Sequence, residues 1–132
     1  MFANKTFVSL RELRYLGNIS LSNRAFAKVN VSKSIIIPHG CTRVSDSCFS
    51  YATIDTIDVP ASVTYLASTC FRFAVINNLI FRSKTPPTKY GYQEFGGAQI
   101  KRIYIPDESI DVYRNSNFVD GIKLLPLSEY HP

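Results

Sequence analysis

Phe26, Phe49, Phe71 and Phe95 follow one another at intervals of 23, 22 and 24 residues, and each is preceded by Ala25, Cys48, Cys70 or Glu94. A period of this size running through the middle of a chain is the mark of stacked structural units, each too small to bury its apolar face alone. It restricts the fold to a solenoid, in which residues one period apart lie directly over one another. Small residues before three of the four Phe residues leave room for the rings to enter a common core.

Between these marks a second pattern recurs, apolar at i, i+3 and i+5: Ile54/Ile57/Val59, Ile76/Leu79/Phe81 and Ile100/Ile103/Ile105. The last two members of each triplet alternate with a residue on the other side, the period of a short strand with one buried face. Pro38, Pro60 and Pro106 close the segments IIIP, IDVP and IYIP. A residue without an N–H ends strand pairing there and turns the chain. Each unit therefore contributes one strand, and the strands stack in parallel.

The segment GCTRVSDSCF (40–49) aligns without a gap on SVTYLASTCF (62–71), which puts Cys41 opposite Val63 and Val44 opposite Leu66. Cys41 thus takes the place of a buried apolar residue, a role a free cysteine fills as a small hydrophobe. Cys48 and Cys70 stack at the strand spacing of about 4.8 Å, somewhat beyond the usual Cβ separation of a disulfide. Two buried thiols are the expectation, with a bridge as the alternative. The spacing 41, 48, 70 contains no CxxC pair, so a zinc site has no sequence support.

The combination of period, proline position and small-Phe pair resembles the leucine-rich repeats, and within them the BspA-like (Treponema-type) family of bacterial and protist surface proteins, whose repeats read roughly LxxIxIPxxVxxIxxxAF. Val31 to Tyr113 carries this likeness, and LRELRYLGN (10–18) is similar to the general LxxLxLxxN strand motif. The resemblance implies a right-handed solenoid of four to five coils with one narrow parallel sheet, mainly β, with irregular or 3₁₀ outer segments. It also implies a non-enzymatic protein-binding module with an adhesion or host-contact role at a cell surface.

One domain is expected, divided into an N-terminal coil or cap (1–30), repeats (31–106) and a C-terminal cap (107–132). Two departures from the period shape this division. FRSKTPPTKYGYQEFGGAQI (81–100) holds two extra residues, Pro86-Pro87 and three glycines, which predicts an irregular outer loop. The end, from Asp107 onward, leaves the period and predicts a short helix from Ser109 to about Asn115 followed by an apolar closing segment, as an end coil requires.

Composition narrows the function. Lys and Arg outnumber Asp and Glu by 15 to 10, but the charges are scattered and no basic run exceeds Lys101-Arg102, so nucleic acid binding is not indicated. No apolar stretch has the length of a membrane span, and the first residues show no secretion signal. No phosphate loop, HExxH or GxSxG occurs, and His39 and His131 are the only histidines. His39 lies two residues from Cys41, yet a strand-to-turn segment does not bring the two side chains together. Asp107, Glu108 and Asp111 read as carboxylates at a helix N-terminus in preference to a calcium site. Neither cofactor nor catalysis is expected.

What remains is the strand face turned away from the core. With Ile35/Ile37, Ile57/Val59, Leu79/Phe81 and Ile103/Ile105 inside, the outward ladder is Ser34/Ile36, Thr56/Asp58, Asn78/Ile80 and Arg102/Tyr104. Ile36, Ile80 and Tyr104 on one face, rimmed by Asp58 and Arg102, have the pattern of a small interface core with a polar border. A protein partner or a second copy is the preferred occupant, with Tyr90 and Tyr92 of the 83–98 loop adding aromatic contacts. Cover by the chain's own N-terminal segment, and no role at all, are the other readings of this face. A structural part of a larger assembly, such as a virion or an appendage, is the alternative function.

Overall fold

A computed structural model of the chain describes residues 23–89 and 91–132. The motif at 10–18, the larger part of the expected N-terminal coil and Tyr90 lie outside the described residues.

Four seven-residue strands, β1 (Asn30–Ile36), β3 (Thr53–Val59), β5 (Val75–Phe81) and β7 (Gln99–Ile105), form one sheet. A short strand β8 (Leu124–Pro126) completes it in the order β1-β3-β5-β7-β8, every pair parallel. The register is that of the sequence period, with Ile57 beside Leu79 and Leu79 beside Ile103. The molecule is a parallel β-solenoid of about four turns. Two-residue strands β2 (Arg43–Val44), β4 (Tyr65–Leu66) and β6 (Thr88–Lys89) make a second parallel sheet, so the expected single sheet has a narrow companion.

The core follows the repeat. All three apolar triplets are buried, and so are Cys41, Val63, Val44 and Leu66 at the aligned positions. Phe26, Phe49, Phe71 and Phe95 stack nearly parallel, with centroids 5.1, 5.4 and 5.3 Å apart. Offset stacking of this kind adds about 0.5–1.5 kcal/mol per pair beyond the area buried. The three cysteines are free and buried.

Two residues in each turn take a left-handed backbone. They are Arg24, Ser47, Thr69 and Gln93 before the Phe, and Lys28, Tyr51, Phe73 and Gly97 after it. Left-handed φ costs a side-chain-bearing residue roughly 1–2 kcal/mol. What it achieves is visible in the hydrogen bonds: Ser47, Phe49 and Tyr51 donate to the carbonyls of Ser68, Cys70 and Arg72, and Thr69, Phe71 and Phe73 to those of Tyr92, Glu94 and Gly96. The kinked turn aims alternate N–H groups along the axis, so the turns bond coil to coil as the strands do.

The loop expected over 83–98 is more ordered than its composition predicts. Its two extra residues are taken up on either side of β6, whose Thr88 and Lys89 pair with Tyr65 and Leu66, and Phe95 returns to the aromatic stack. Near the insertion Glu94 is buried where earlier coils place a cysteine, and its carboxylate accepts the N–H of Gly91 at 2.6 Å. Gly91 passes so close to Ser68 that a Cβ there would lie 1.9 Å from Ser68 Oγ. Only glycine lets the longer coil regain the period.

After β7 the chain makes a 3₁₀ turn (Asp107–Ser109) and helix α1 (Ile110–Asn115), close to the predicted helix. Tyr113 is buried with its hydroxyl donating to the Ser83 carbonyl at 2.7 Å. Phe118 meets Phe81, Phe95 and Tyr113 edge-on, which turns the parallel stack through a right angle.

Candidate functional site

The outward face of the long sheet is a ladder of polar side chains bonded along the solenoid axis. Thr56 Oγ1 donates to Asp55 Oδ2 and accepts from Asn78 Nδ2, and Asn78 Oδ1 accepts from Arg102 Nε at 2.9 Å. Asn77 Nδ2 donates to the other oxygen of Asp55 at 2.8 Å. In the next row the Arg82 guanidinium grips Asp58 with two bonds, 2.7 and 2.9 Å, and that hydrogen bonding makes Arg82 more basic than usual. Arg82 stands where other coils have a proline; its N–H bonds Val59 O, and its side chain reaches back to Asp58. Asp58 and Arg102, expected as the rim of one interface, belong to different bonded pairs.

The apolar part of that face differs from expectation. Ile36 is 51% exposed, but Ile80 is 1% and Tyr104 8% exposed. The closing segment is the reason for Tyr104: β8 adds beside β7, and Tyr130 packs edge-on against Tyr104 at 5.1 Å. Ile80 lies between Asp58 and Tyr104 in the register and is buried in that row. Of the three residues read as open, one is. The chain's own C-terminal segment supplies the cover over Tyr104, a contact no repeat interval announces because SEYHP lies outside the period. Tyr92 is exposed at the loop, while Ser34 and Ile36 stand open at the other end of the ladder.

A second surface was not visible in the pattern of apolar triplets. Tyr51 and Phe73, at the second left-handed position of their turns, stack at 5.1 Å and are 55% and 42% exposed. The next coil places Gly97 there, and a Cβ at that residue would fall 2.4 Å from the Phe73 ring. Beside the pair lies a cleft of about 290 Å³ lined by Arg24, Ala27, Lys28, Ser47, Ser50, Tyr51, Thr69 and Arg72. The signal that could have found it is the residue two after each Phe, which reads Lys28, Tyr51, Phe73 and Gly97.

The thiols have the opposite of a nucleophile's environment. Burial raises Cys41 and Cys70, and it pushes Cys48 from the usual 9.0 to about 12. His39 is exposed above the buried Cys41. Among the described residues no three His, Cys, Asp or Glu side chains converge as a metal site, and no helix is long and apolar enough to cross a membrane. Hydrogen bonding from Ser128, its side chain first and then its N–H, lowers the Asp107 pKa, Glu108 lies 3.9 Å from Lys84, and Asp111 lies 3.6 Å from Arg114.

The BspA type leucine rich repeat region matches residues 1–124 in six copies. The chain belongs to the BspA type leucine-rich repeat family. No curated protein and no solved structure matches it significantly. The BspA type repeat family suggests a protein-interaction module, and the faces described above are surfaces that the described residues offer.

Proposed function

We propose that the protein is a non-enzymatic adhesion module that contacts a protein partner on a host or neighbouring surface through the N-terminal half of the outward sheet face. Ser34, Ile36, Asp58 and Asn78 form the contact, with Tyr92 reached from the loop. The observation that carries this reading is Ile36, a half-exposed isoleucine one rung from a fixed Asp58. Because Thr56, Asn78 and Asp58 are already held by neighbours, a partner docking there orders few side chains, and ordering costs roughly 0.5–1.5 kcal/mol for each. The buried thiols, which burial keeps protonated, support a role without catalysis.

Beads coated with the protein, applied to host epithelial cells, test the reading. Wild-type beads are expected to adhere, to lose adhesion when the cells are pretreated with trypsin, and to lose most of it with Ile36→Asp. Equal adhesion by Ile36→Asp beads overturns the assignment of the face. Ile80→Asp is unsuitable as a probe, because Ile80 is buried and a carboxylate there would destabilise the fold.

A further inference from the structure

We infer that the cleft beside Tyr51 is a binding site for an acidic sugar, a pyranose ring carrying a carboxylate. The site is independent of the sheet face, since its residues come from the turns.

Three of its lining residues are cations, Arg24, Lys28 and Arg72, and none is an acid. Among the described residues none of the three has an ion-pair partner. Arg72 Nε is buried and makes no hydrogen bond, while its guanidinium carbon lies 5.0 Å over the Phe73 ring. A buried donor left without an acceptor calls for one. An anion in the cleft gives the guanidinium an acceptor once the side chain turns its N–H groups outward.

The hydroxyls select the rest of the ligand. Thr69 Oγ1 donates its one proton to the Ser68 carbonyl at 2.7 Å, so in its 2.8 Å contact with Ser47 Oγ the serine is the donor. Ser50 Oγ donates to the Thr69 carbonyl at 2.7 Å. All three protons are thereby spent within the protein, and Ser47 and Ser50 offer lone pairs. Inorganic sulfate or phosphate, rich in acceptors, would meet those lone pairs unfavourably. The matching ligand donates hydrogen bonds through hydroxyls and carries its charge on a separate group.

Tyr51 favours a ring. One of its faces stacks on Phe73, so the other looks along the axis toward Lys28, the residue at the same position of the preceding coil. A pyranose lays its C–H face on such an aromatic surface and buries apolar area. The cleft lies just below the range of roughly 300–1,000 Å³ typical of drug-sized sites, which suits one ring with one charged substituent. An acidic peptide is disfavoured because the turn backbone at 24, 26, 28, 47, 49 and 51 already donates to the next coil, leaving few N–H groups to hold a strand.

The test is a titration of the isotope-labelled full chain, followed by amide chemical shifts, with 3′-sialyllactose, digalacturonate, lactose, sodium sulfate and a hexaglutamate peptide. At least one acidic sugar is expected to shift residues of turns 24–28, 47–51 and 69–72, binding at least about tenfold more tightly than lactose, as charge-assisted hydrogen bonds imply. Arg72→Gln and Tyr51→Asn, the latter tolerant of a left-handed backbone, should each weaken that binding about tenfold while the labelled chain keeps the dispersed amide spectrum of the folded state. Ile36→Asp should leave it unaltered. Shifts by neither acidic sugar, or equal affinity for sulfate or for hexaglutamate, overturn the proposal. So does acidic-sugar binding that survives both cleft substitutions.

Discussion

Phe49 lies between two parallel rings, with no exposed surface. Truncation to alanine removes the contacts of both faces and leaves a cavity the stacked coils close poorly. Phe49→Ala should cost about 3–5 kcal/mol, read as a lowered urea midpoint. A neutral result would contradict the stack. The buried thiols give a second residue-scale outcome. Cys48 holds its proton up to about pH 12 in the folded chain, whereas an unfolded thiol releases it near 9.0. The folded state therefore binds more protons than the unfolded one between these values, and stability falls as pH rises through that window. Burial shifts Cys41, Cys70 and Tyr113 in the same direction. Urea midpoints from pH 7 to 11 should decline above pH 9, and Cys48→Ala with Cys70→Ala should flatten the decline; alanine already serves at the equivalent residue 25.

At the scale of the element, the turn is what makes the period. Gly97 sits at φ +65° against the Phe73 ring, so Gly97→Ala combines backbone strain with a clash. The cost should be about 2–4 kcal/mol by chemical denaturation. Gly121→Ala, at φ +70° with open space around it, should cost only the backbone part, about 1 kcal/mol. Strands, prolines and Phe stack were legible in the sequence because each follows from a one-dimensional rule: alternation, a missing N–H, a fixed interval. The left-handed turn residues were not, since Tyr51 and Phe73 are side chains that such a conformation disfavours, and only the coil-to-coil hydrogen bonds show why it is kept. The order of the 83–98 segment was hidden for a related reason: its Pro and Gly residues signal turns, while the two bonded residues of β6 leave no apolar trace.

For the whole molecule the decisive contact is between ends of sequence that share no pattern. Ile80 and Tyr104 satisfied the rule for outward strand positions, and Tyr130 lies beyond the last repeat; no interval links it to Tyr104. We propose that 107–132 acts as the cap of the solenoid, with Phe118 ending the aromatic stack and β8 covering the β7 edge. Deleting 120–132 should then expose Tyr104 and the unpaired side of β7, lowering the melting temperature and producing concentration-dependent association in size-exclusion chromatography with light scattering. A truncated chain that matches the full chain in both measurements would remove the capping role.

The coil-to-coil bonds of the turns run parallel to the solenoid axis, as do those of the strands. A tether pulling on the two ends puts the same force on every coil-to-coil interface, and the outermost coil, bonded on one side only, gives way first. Each coil of 22 to 24 residues would release roughly 75–85 Å of chain as it opens. A contact made under flow would thus lengthen in discrete steps, dissipating force while the remaining coils still hold.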